Sequence, residues 1–179
     1  MSAAGRDPDR PPATVTDLGR SLSILLVREL ETFERELDLF PDDASVWRTA
    51  AGISNSAGNL ALHVAGNLQH FVGAVLGGTG YVRNRELEFS RRSGPRSDVK
   101  AEIRAAIHAV EDALGRLPED RLAGEYPEPV NGLCLRADRF LMHLCAHAAY
   151  HLGQAGYVRR VVTGEGRSSG PVPLAALTD

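Results

Sequence analysis

Residues 138–158 read DRFLMHLCAHAAYHLGQAGYV, and the fold turns on how this run is read. His143, His147 and His151 recur at every fourth position, with no Pro, Asp, Glu, Lys or Arg from Phe140 to Val158. Residues four apart share one face of an α-helix, one turn above another. At 100° per residue, with His147 at zero, His143 falls near −40°, His151 near +40°, and Gln154 and Arg136 near −20°. An imidazole-rich stripe therefore runs along a helix predicted over Arg136–Thr163 that is otherwise apolar. A helix with no charged face is expected to be buried on most sides. Imidazoles inside it need partners, and a metal ion suits two or more at once.

The rest of the chain supplies helices for this one to pack against. From Thr16 or Asp17, a cap residue, Leu18, Leu22, Leu25, Leu26, Leu30, Phe33 and Leu37 recur at helical spacing over about 22 residues, until Pro41 ends the run. A second helix is predicted over Ser54–Leu76, closed by Gly77 and Gly78. Its wheel carries another polar stripe: Ser56, Asn59, Asn67 and His70 lie within about 40° of His63. Residues 77–97 are too long for a tight turn and read as a crossover, with a short helical turn at RNRELEF. Val99, Ile103, Ile107, Val110 and Leu114 define a third helix over Asp98–Leu117, stopped by Pro118, with His108 off its apolar spine. PEDRLAGEYPEPVNGLCL reads as an irregular or hairpin-like link to helix four. The expectation is an all-α, up-down-down-up four-helix bundle with a long crossover between helices two and three. Residues 1–14 read as a flexible tail, 15–165 as the bundle, and 166–179 as a second tail lying back on it.

Composition narrows the function. The 179 residues are 43% hydrophobic with a net charge of −3, which describes one globular domain and calls for neither nucleic acid nor a membrane surface. The basic run SRRSGPRSDVK is short and lacks interleaved aromatics. No segment reads as a signal peptide or membrane span, and Cys134 and Cys145 form no CxxC, so a reducing, cytoplasmic setting is expected.

Two His at i and i+4 present both rings to one ion, and a His from a facing helix completes a triad with open positions for water or substrate. HExxH and the Glu-x-x-His pair of di-iron bundles are both absent. His63, His147 and His151 form the expected ligand set. His70 and His143 are expected to meet at one level as a second polar layer, with Asn59 and Asn67 as supporting groups. The stripes hold no Asp or Glu, so no general base stands beside the triad.

SNSAGNLALHVAGNLQHFV (54–72) and MHLCAHAAYHLGQAGYVRR (142–160) resemble the second and last helices of the DinB-like (DNA-damage-inducible, YfiT-like) superfamily of metal-binding four-helix bundles. In the second stretch the match is an HxxxHxGQ pattern. The resemblance spans about residues 16–165 and implies one divalent metal on His63, His147 and His151, with Gln154 in support. Zinc or nickel heads the candidates, followed by iron or manganese. It implies a small-molecule substrate, a low-molecular-weight thiol as co-substrate, and a homodimer. Some relatives look like thiol-dependent transferases or isomerases, others like amide hydrolases. A metal-dependent S-transferase or hydrolase is therefore the leading expectation, and a non-catalytic metal-binding stress-response module is the alternative.

Overall fold

The computed structural model describes residues 17–170 and 173–178. The tail over 1–14 and the cap at Thr16 lie outside the described residues. Among those described, the chain is all-helical. The α-helices are α1 (Asp17–Asp38), α2 (Ala57–Leu68), α3 (Arg85–Ser90), α4 (Arg96–Leu114), α5 (Glu119–Ala123) and α6 (Ala137–Thr163), with no named strand. The link before α6 is hairpin-like: Val130 and Leu133 pair across Asn131 and Gly132, whose φ of 51° and 80° suit an Asn-Gly turn.

The core follows the apolar spacing. Leu22, Leu26, Leu30, Phe33 and Leu37 of α1 meet Val99, Ile103, Val110 and Leu114 of α4 and Leu141, Leu144, Ala148 and Leu152 of α6. Each fully buried Leu or Phe contributes about 1.5–3 kcal/mol of transfer free energy. α1 packs on α4 and α6, and α2 on the same two helices. The order of contacts with α6 places the histidines: Phe71, just beyond α2, meets Phe140, and His63 of α2 meets His147 and His151.

Helix two departs from its predicted form at both ends. It begins at Ala57, where Ser56 and Asn59 form a capping box. After Leu68 it widens into a π-helix over Gln69–Ala74. Every residue of α2 is buried, because α3 closes over its polar side.

α6 is less buried than its lack of charge implied. α1 covers the side that carries Leu141, Cys145 and Leu152, while Met142, Tyr150, Tyr157 and Val161 remain exposed. At its C-terminal end Arg159 is fully buried, 2.5 Å from Glu36 of α1. Arg159 also donates to the carbonyls of Glu165 and Arg167, so the chain beyond Gly164 folds back over the helix end.

Candidate metal centre

α2 contributes one imidazole and α6 two. One ring nitrogen from each of His63, His147 and His151 lies within 4.8 Å of the other two. Nε2 of His147 stands 3.3 Å from Nε2 of His63 and 3.1 Å from Nε2 of His151. A zinc–imidazole bond is about 2.0–2.1 Å, so two nitrogens on one tetrahedral ion stand about 3.3 Å apart. The spacing fits a single ion held by three Nε2 atoms.

The outer ring edges decide which nitrogens face inward. His63 Nδ1 lies 2.9 Å from Glu88 Oε2, and His151 Nδ1 lies 2.7 Å from Gln154 Oε1. Carboxylate and amide oxygens accept, so both Nδ1 atoms carry the proton and both Nε2 atoms turn lone pairs toward His147. Without an ion, His147 Nε2–H can satisfy only one of them. Burial foremost, then the neighbouring His151, His63 and His143 rings and Arg83, push the His147 imidazole down to about 4. His151 is also lowered, chiefly by burial, against the Gln154 hydrogen bond that raises it. Neutral imidazoles near pH 7 are what a metal needs.

Glu88 is the member that the sequence did not show. It comes from α3 in the crossover, outside both histidine stripes, and its spacing to His63 has no helical meaning. Arg83 grips its carboxylate through Nε at 2.7 Å and Nη2 at 2.8 Å. Burial pushes the Glu88 carboxyl up, but the hydrogen bonds and charges of Arg83 and His63 outweigh it and hold the group below its ordinary value. Arg83 Nη2 also lies 3.1 Å from His63 Nδ1. Since Nδ1 donates to Glu88, that approach reflects two donors sharing one carboxylate oxygen. A carboxylate thus does stand beside the triad, on the Nδ1 edge of His63, where it orients the ring.

Two α2 residues make this docking possible. The Asn59 amide donates to the carbonyls of Glu88 and Arg91, both at 2.9 Å, and so holds the end of α3. Gly66 leaves room for the Glu88 carboxylate, which a Cβ at that position would strike. The sequence signals for this arrangement are the short helical turn expected at RNRELEF, which contains Arg83 and Glu88, and Asn84, which caps α3 by accepting from Leu87 N.

The remaining candidates are placed as follows. His143 is exposed, with its ring 6.0 Å from His147. His70 lies 3.3 Å from Glu128 and against Phe71. Ring contacts connect His70 to His143 through Phe71 and Phe140. His70 is the second residue of the π-helix, where the pitch departs from 3.6 residues per turn. Asn67 is buried, and its Oδ1 has no partner among the described residues. Arg136 pairs with Asp138 at the start of α6. His108 is exposed near Glu111.

The family model of the DinB superfamily matches residues 25–155. The chain belongs to the DinB superfamily. The three histidines all fall inside the matched span, as does Glu88. No curated protein sequence matches this DinB-superfamily chain. Its fold is similar to the crystal structure of a conserved protein from Enterococcus faecalis, with a TM-score of 0.66 and 20% identity. That likeness covers 82% of this chain and 97% of the other. At this identity it speaks to fold alone. Among the described residues no helix is long and apolar enough to cross a membrane.

Proposed function

We propose that this DinB-superfamily protein holds one divalent metal ion on Nε2 of His63, His147 and His151 and acts as a metal-dependent S-transferase or hydrolase. The convergence of three inward-facing Nε2 atoms carries the reading. Three neutral imidazoles leave the ion its full charge and leave coordination positions for other ligands. Such an ion lowers the pKa of a bound water or thiol toward neutrality.

The protein's own groups supply orientation. Glu88 and Gln154 fix the rings of His63 and His151 from their outer edges. Because Glu88 sits on the Nδ1 edge and is paired with Arg83, it is not placed to take a proton on the Nε2 side. A nucleophile that needs no separate base, such as a thiolate, suits this arrangement better than water does. Zinc and nickel match the imidazole ligand set. The up-down-down-up order belongs to the same reading. It is supported by the pairing of α1 residue Glu36 with Arg159 of α6 and of Asp38 with Lys100 of α4. A homodimer across the exposed side of α6, where Met142 and Tyr150 are exposed, is the proposed assembly; light scattering showing a monomer would remove it.

The test is elemental analysis of untagged protein purified without chelators or nickel resin, beside His147→Ala. About one divalent ion per chain, lost in the variant, is expected. No metal in the native chain, with failed reconstitution, refutes the proposal. Loss of turnover in His63→Ala with the fold retained supports catalysis, whereas collapse of the fold would assign the ion a structural role.

A further inference from the structure

One helical turn from the triad lies a cavity of about 320 Å³ that the metal reading does not use. Leu60 is one turn before His63 on α2, and Gln154 one turn after His151 on α6; both line it. Ile53, Tyr157, Val158 and Val161 supply most of the remaining wall, Ser54 and Asn55 add polar groups to it, and no Asp, Glu, Lys or Arg lines it. Arg160 stacks on the Tyr157 ring at 5.4 Å without lining the cavity. Gln154 joins the two places. Its Oε1 accepts from His151 Nδ1, which leaves the NH₂ half of the amide as the donor available to the cavity. Among the described residues nothing accepts from that NH₂.

From these residues we infer that the cavity binds a neutral small molecule, an apolar body carrying one hydrogen-bond-accepting oxygen, with Gln154 donating to that oxygen beside the metal centre. The size is roughly twice that of the 150 Å³ cavity that takes up benzene, which suits a body of one or two fused rings. A charged ligand would lose part of its water shell to mostly apolar walls that offer no counter-ion, which favours a neutral one. An oxygen held by Gln154 lies on the outer, Nδ1 side of His151, coupled to the centre through that ring, with the rest of the ligand in the cavity. This deepens the metal-enzyme reading by naming its substrate class and rests on that reading for the chemistry. The binding itself does not depend on it, because none of the three histidines lines the cavity.

The experiment titrates full-length, zinc-loaded protein with prodan, a neutral acyl-naphthalene whose emission shifts in apolar surroundings. One saturable site is expected. Val161→Trp, a change at an exposed position that fills the cavity, weakens it at least tenfold. Gln154→Leu weakens it by a few-fold to about tenfold, the loss of one neutral hydrogen bond. 2-Acetonaphthone displaces the probe and 2-naphthoate does not. Absence of a saturable site, indifference to Val161→Trp, or equal displacement by the carboxylate would each overturn the inference. Prodan affinity in His147→Ala should stay within about threefold of wild type. A chain without metal would thus defeat the metal reading and leave this result standing. In cobalt-loaded protein, saturating 2-acetonaphthone should shift the visible absorption bands, and unchanged bands would refute the placement beside the centre.

Discussion

Replacing Glu88 with Gln tests how the centre is built. The carboxylate accepts three hydrogen bonds, two from Arg83 at 2.7 and 2.8 Å and one from His63 Nδ1 at 2.9 Å. Its side chain is 6% exposed and that of Arg83 12%. Glu88→Gln keeps the shape, removes the charge and leaves the guanidinium without a counter-ion. Breaking a buried pair from one side costs about 3–5 kcal/mol, and the lower end applies because the amide oxygen still accepts one bond. Removing the outer partner of a metal-bound His typically weakens metal affinity 10–100-fold, or about 1.4–2.7 kcal/mol. Urea denaturation of the metal-free protein reads the first quantity, and zinc competition against a chromophoric chelator at neutral pH reads the second. The two separate in Arg83→Met/Glu88→Met. Removing both charges should return stability to within about 1 kcal/mol of wild type, while zinc affinity stays low because His63 Nδ1–H has no acceptor. Gly66→Ala approaches the same point from the opposite side, since its Cβ would push the carboxylate off His63. Zinc affinity within about threefold of wild type in both Glu88→Gln and Gly66→Ala would refute the claim that Glu88 sets the His63 ring.

The other predictions address pH, the C-terminal clamp and the docking of α3. His147 is depressed from 6.5 to about 4, so between those values the unfolded chain binds a proton that the folded one refuses. Metal-free stability should therefore be full above about pH 6.5 and fall as pH drops toward 4, which urea midpoints at pH 7.5 and 5 would show. Zinc affinity should stay nearly flat from pH 8 to 7 as far as this His is concerned; a steep rise over that range would contradict a neutral His147. Arg159→Met strands buried Glu36 and should cost about 3–5 kcal/mol, with much of it regained in Glu36→Leu/Arg159→Met. In the single variant tryptic cleavage after Arg167 should speed up, and an unchanged rate would argue that Arg159 does not pin that segment. Asn59→Ala loses the capping box and the grip on α3, for about 2 kcal/mol. Faster hydrogen exchange confined to α3 and the start of α2 is the expected signature.

The sequence alone determined the elements whose signals are local. The apolar spacing of Leu22 to Leu37, the run from Val99 to Leu114 and the uninterrupted stretch after Arg136 each specify a helix within one or two turns of its observed bounds. The i, i+4 relation of His147 and His151 follows from helix geometry, and the second stripe picked out His63. Tertiary structure decided everything that depends on a partner from elsewhere in the chain. Glu88 and Arg83 belong to the centre only because α3 docks on α2 over Gly66, and no periodicity connects position 63 with position 88. After Leu68 helix two winds as a π-helix over six residues, a change of pitch that a wheel at 100° per residue cannot anticipate. The exposed side of α6 likewise carries apolar residues because packing against α1 and α2 uses only part of its circumference. Helical periodicity records which residues share a face; which faces meet, and which groups arrive from a crossover, is settled by the packing of the whole chain.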